Sequence, residues 1–160
     1  MSELTAAKLA STSRVEMTQL VLPGYANSFG NAFGGRVMQW IDLAAAMAAM
    51  RHTRMPVVTV SIDQLAFHAP IRVSQIATLR AQVNAVFGSS MEIEVTVEGE
   101  DPRTGEKKLC CDAFVTFVAL GPDGKPAKAP LLLTETEEEV RRAQEAAARR
   151  AERIAKRARP

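Results

Sequence analysis

Asp42 is the only charge in a run from Val37 to Met50 whose one other polar side chain is Gln39. An ionised carboxylate costs many kcal/mol to bury unless partners compensate it. Its neighbours at helical spacing, Met38, Gln39, Ala45 and Ala46, offer no cation. Such a carboxylate lies on a wet rim or is kept for chemistry, either as a general base on water or as a nucleophile. Upstream, Asn31 opens "NAFGG", in which Gly34 and Gly35 carry no side chain. A helix that starts there presents unpaired N–H groups to any group lying against the glycines. Such donors suit a carbonyl oxygen that becomes an oxyanion. Taken singly, Asp42 also fits an exposed helix stripe, and "FGG" a plain entry from loop to helix.

These residues need a helix to position them. The apolar run continues to about "RHTRMP" (51–56), where Pro56 ends it. Before it, 14–22 alternates as a strand, and "PGYANSFGN" is loop. After it, 57–67, 77–87, 90–100 and 108–120 alternate or run apolar over strand lengths. Gly88 between the second and third of these signals a hairpin. Residues 134–158 form a second helix, with Thr134 and Glu137 as a capping box and early glutamates and late arginines that match the helix dipole. An apolar helix must be covered nearly all round. The expected fold is therefore α+β, with a curved antiparallel sheet of five to six strands wrapped around a long central helix, plus a charged C-terminal helix. The expected division is a flexible arm at 1–13, one domain at 14–133 and a helical extension at 134–160.

Composition narrows the function. The chain has 160 residues, a net charge of +2 and 47% apolar content, all ordinary for one globular domain. Residues 1–133 balance 12 basic against 12 acidic residues, and the tail holds 8 basic and 6 acidic. The arginines from Arg141 onward lack interleaved aromatics and sit beside an acidic run, which argues against nucleic acid as a partner. No leader-like apolar core and no stretch of membrane-spanning length is present, so a cytoplasmic protein is expected. Cys110 and Cys111 read as reduced packing residues. No metal-ligand spacing and no G-x-S-x-G elbow occurs. His52 reads as a charge complement at the helix end.

The pattern "N-x-F-G-G-x-x-M-x-W-x-D" at 31–42 resembles the hotdog-fold acyl-CoA thioesterases, in their acyl-CoA hydrolase branch. The resemblance continues through "VVTVSIDQLAFHAPI" (57–71), "GSSMEI" (88–93) and "FVTFVALGPDGKPAKAP" (114–130), and so covers about residues 14–130. It departs at Ser74-Gln75, where the family usually carries Gly-Asp. The resemblance implies hydrolysis of acyl-CoA to a carboxylic acid and CoA without a cofactor, coenzyme A being part of substrate and product. It implies Asn31 and Asp42 as catalytic residues contributed by opposite subunits of a homodimer, in a trimer of such dimers. Gly35 joins them as oxyanion donor. Phe33, Gly34, Phe67, Ser89 and Ser90 are the expected substrate-binding residues. The alternatives are a non-catalytic acyl-CoA-binding module or a hotdog hydratase. The latter needs a helix histidine, and none precedes His52.

Overall fold

The computed structural model describes residues 6–159. Its elements in chain order are β1 (Lys8–Leu9), β2 (Val15–Leu20), α1 (Gly34–Thr53), β3 (Val57–Phe67), β4 (Ile76–Phe87), β5 (Ser90–Glu100), β6 (Lys107–Ala119), β7 (Leu132–Leu133) and α2 (Glu137–Arg157). The large sheet has five strands in the order β2-β4-β5-β6-β3, all antiparallel, so β2 and β3 are its edges. Alternation builds the core. Leu79, Ala81 and Val83 on β4, Met91, Ile93, Val95 and Val97 on β5, and Val115 and Phe117 on β6 are all buried, and they face Trp40, Ile41, Ala44, Ala45, Ala48 and Ala49 of α1. The alanine stripe lets the helix sit close to the sheet.

The expected antiparallel sheet, long central helix and C-terminal helix are all present, and within one chain the sheet leaves one face of α1 open. Leu43 on that face is 50% exposed, and Met38 and Met50 are exposed with it. A helix is about 10 Å across, and one sheet reaches only the side it packs on. β3 has the same character. Its sequence, VVTVSIDQLAF, is strongly apolar, yet none of its residues is buried. Val58 and Val60 are 44% and 48% exposed at this free edge.

The first five residues of the expected arm lie outside the described residues, as does Pro160. The rest of that arm is not loose. β1 pairs in parallel with β7, and the 3-10 turn at Ala10–Ser13 buries Ala10 and Ser13. Ser13 Oγ accepts from the Val83 amide at 3.0 Å, which ties the segment to β4.

α2 lies on the outer face of the sheet. Its cap is Thr136, whose Oγ1 accepts from Glu139 N, while Glu139 accepts from Glu135 N. The expected box of Thr134 and Glu137 is therefore displaced by two residues. The repeated T-x-x-E pattern allowed both registers, and burial of Glu139 selects the second. Two of the late arginines, Arg149 and Arg153, are counter-ions to sheet carboxylates. Glu92 of β5 is 0% exposed, and Arg149 grips it through two hydrogen bonds of 3.0 and 2.6 Å while stacking on Phe114.

Removing one partner of a buried ion pair strands the other charge. Arg149→Ala should therefore lower the unfolding free energy by about 3–5 kcal/mol. Arg141→Ala, which loses only exposed pairs with Glu138 and Glu145, should stay within ~0.5 kcal/mol of the parent. Chemical denaturation of the two variants measures the contrast.

Candidate active site

Asp42 lies on the open face of α1, half-buried within the single chain. Thr59, on the exposed edge strand β3, donates its hydroxyl to Asp42 Oδ1 at 2.7 Å. Thr59 faces the helix because it pairs with core-facing Phe117 across the ladder. The sequence reading did not single out Thr59. Its signal was a hydroxyl within a β-branched run next in order to the helix.

The start of α1 is an open cluster of donors. The first helical bond runs from Val37 N to Phe33 O, at 3.1 Å. The amides of Gly34, Gly35 and Arg36 precede it, and cap residue Phe33 offers no side-chain acceptor. The ring of Phe67 lies against Gly34, 3.7 Å from where a Cβ would stand, and at Gly35 a Cβ would meet nothing within 4 Å. Phe33 and Phe67 are both exposed beside these glycines. The approach loop is held from two sides. Tyr25 packs edge-on against Trp40, and Asn27 Oδ1 accepts from the amides of Phe29 and Asn31. Asn31 forms a backbone bridge to Arg72, and its side-chain amide makes no hydrogen bond among the described residues. Asn27 thus fixes the loop that presents Asn31. The N-x-x-G spacing ending at Gly30, whose φ is +78°, was the sequence signal for that turn.

Asn31, Phe33, Gly34, Gly35 and Phe67 therefore gather at one end of α1. Asp42 does not join them within one chain, because it lies seven residues beyond Gly35, roughly 10 Å along the axis. Nor do Ser89 and Ser90. Ser90 pairs with Val118 and bonds its hydroxyl to Phe87 O at 3.3 Å, whereas Phe67 pairs with Cys111 at the other end of β6. Those two β6 positions are seven residues apart, roughly 23 Å.

The histidines lie elsewhere. His68 contacts Asp112 at 3.3 Å, and Asp112 points away from α1 because Cys111 and Ala113 point toward it. His52 is fully buried and donates from Nε2 to Pro130 O at 2.8 Å. Burial holds its pKa below the ordinary 6.5. It anchors the chain after β6 and is no charge complement, since the helix end is covered there. Burial pushes the Cys111 thiol up to about 11, away from the thiolate a nucleophile needs.

A thioesterase superfamily model matches residues 29–106, a span that includes the glycine pair, Asp42 and Thr59. An acyl-CoA thioester hydrolase of Bacillus subtilis, itself uncharacterised, is 39% identical over 86% of this chain and 80% of its own length. The chain belongs to the hotdog acyl-CoA thioesterases. A solved apo-hexameric acyl-CoA thioesterase superposes with a TM-score of 0.92 at 37% identity, covering 97% of this chain and 99% of that one. An acyl-CoA hydrolase of Staphylococcus aureus, solved in complex with butyryl coenzyme A and coenzyme A, gives 0.88 at 34% identity over 94% and 92%. Acetyl-coenzyme A thioesterase of Rattus norvegicus is 40% identical over 78% of this chain, which spans only 23% of that longer protein. Among the described residues no helix is long and apolar enough to cross a membrane.

The open space above Gly35 yields a test. Its φ is not positive, so alanine fits the backbone and should raise stability by about 0.4–1 kcal/mol. The added methyl would stand where a carbonyl would lie if these amides hold one. Gly35→Ala should therefore gain in melting temperature while losing roughly tenfold or more in kcat/KM. Thermal unfolding and a thiol-release assay on the same preparation check both signs.

Proposed function

We propose that the protein hydrolyses acyl-CoA thioesters to carboxylic acid and free CoA in sites shared between two protomers. The observation that carries the shared site is the distance of roughly 10 Å along α1 between the oxyanion donors and Asp42 of one chain. A carbonyl resting on Gly35 N–H cannot also present its carbon to a water held by the same chain's Asp42. Two copies joined through β3, with the exposed faces of α1 against each other, bring Asp42 of one beside Asn31 and Gly35 of the other. The joint also covers Val58, Val60, Leu43 and Met50, which one chain leaves open.

In this reading Asp42 takes a proton from water as the water oxygen attacks the thioester carbon. The oxyanion accepts from Gly35 N–H, with Asn31 orienting the carbonyl or the water. Collapse of the tetrahedral intermediate breaks the C–S bond and releases the CoA thiolate, which takes up the proton held by Asp42 and restores the carboxylate. Because Thr59 donates to Oδ1, Oδ2 remains for the water. The step needs no cofactor, since a thiolate leaves readily and one base with one donor cluster suffices. Phe33, Gly34 and Phe67 would flank the thioester, and Ser89 and Ser90 would reach the substrate only across a subunit contact. The Staphylococcus aureus hydrolase has been solved with an aspartate, a threonine or an asparagine changed to alanine. There the asparagine lies 15 residues before the aspartate and the threonine 17 after it, spacings that fall here on Asn27, Asp42 and Thr59 and so not on Asn31. The hexameric relative supports a trimer of such dimers, and a rat relative named as cytosolic supports a cytoplasmic setting.

Asp42→Ala should lower kcat by about 10²-fold or more with the oligomer's mass unchanged in light scattering. Near-normal turnover would remove Asp42 from the mechanism. Mixing Asp42→Ala with Asn31→Ala protomers under subunit exchange should restore activity, because each mixed dimer regains one intact site. Two inactive variants that stay inactive after verified exchange would place both residues in one chain's site.

A further inference from the structure

α2 crosses the whole outer face of the sheet. Glu139 contacts Gln82 of β4 and Arg142 contacts Glu94 of β5, while Arg149 holds Glu92 of β5 over Phe114 of β6. The last contact in this series reaches the edge strand. Arg153 Nη1 bonds Asp63 Oδ2 of β3 at 3.0 Å and lies 3.8 Å from Glu92 Oε2. Arg153 is thus the cation through which the buried Glu92 network extends to β3.

β3 needs such a hold. Within one chain it has a ladder partner on one side only, and that ladder slips twice, between Thr59 and Ser61 and between Asp63 and Ala66. Gln64, next to Asp63, has a φ of +50°, a strained value for a residue with a side chain. Under α2 the same cross-strand row contains Ser61 Oγ, Thr116 Oγ1 and Asn84 Oδ1, all buried and without a hydrogen-bond partner among the described residues. Pairing within the chain therefore fixes β3 loosely over the stretch that leads to Thr59. Arg153 pins the far end of that stretch.

We propose that Arg153 is a positioning residue for hydrolysis: by fixing Asp63 against Glu92 it sets the path of β3 and so the placement of Thr59 against Asp42. This rests on the reading that Asp42 and Thr59 belong to the catalytic site. The basic end of α2 then has a role in the chemistry, transmitted through the sheet. Replacing Arg153 leaves Glu92 with both Arg149 hydrogen bonds and the one from Asn84, so the fold should survive.

The test compares Arg153→Ala, Arg153→Lys and Asp63→Asn with Arg141→Ala as the surface control, using thiol release from acyl-CoA and light scattering. Arg153→Ala and Asp63→Asn should lose roughly five- to fifty-fold in kcat, with KM changed by less than about twofold. Arg153→Lys should recover part of that loss, and Arg141→Ala should match the parent. Parent-like kcat in Arg153→Ala, even with a lower melting temperature, would overturn the proposal. So would a loss that accompanies dissociation of the oligomer. If Asp42→Ala is inactive while Arg153→Ala is normal, this inference alone fails. If Asp42→Ala itself turns over normally, the reading beneath it fails.

Discussion

One constraint organises the molecule: α1 is apolar on two faces, and a single sheet can cover only one. The alanine stripe buries against β4, β5 and β6. The opposite face keeps Met38, Leu43 and Met50 in the open together with Asp42. A soluble chain does not ordinarily leave such a surface beside an unburied apolar edge strand. In the proposed dimer, association through that surface would remove the apolar cost and at the same moment give the carboxylate a narrow polar setting. Assembly and chemistry would then answer the same deficit.

Much of this was legible in the residues. The period change from a 3.6-residue repeat to alternation after Pro56 located the helix and the strands that follow it, because both periods are fixed by backbone geometry. The charge of Asp42 stood out because nothing in its own helix could neutralise it. Other features were hidden for a common reason, which is that they depend on contacts between distant segments. Thr59 lies 17 residues from Asp42, and only the fold turns its hydroxyl toward that carboxylate. Ser89 and Ser90 match the family pattern, yet the hairpin puts them at the far end of the sheet from Gly34. His52 follows Arg51 in sequence like a cation, but the segment before β7 folds over it and keeps it neutral.

The C-terminal helix shows how composition can mislead. Its charges read as a solvated face with spare arginines, and several are that, paired at i,i+4 with exposed glutamates. Arg149 and Arg153 are different, because the sheet beneath them carries Glu92 and Asp63 on its outer face. An alternating strand announces that every second residue points outward. It does not announce that another element will cover that side. Covering it made Glu92 an interior carboxylate, left Asp63 half-buried and gave two arginines fixed partners.

The hydrogen bond from Thr59 also breaks the symmetry of a group that is symmetric in solution. A hydroxyl has a single hydrogen to donate, and here it goes to Oδ1 of Asp42. The two oxygens are then unequal, Oδ1 holding a donor and Oδ2 left to accept another. In the proposed mechanism an attacking water would meet a directional acceptor, so its approach to the carbonyl carbon would be oriented before any acyl group arrives.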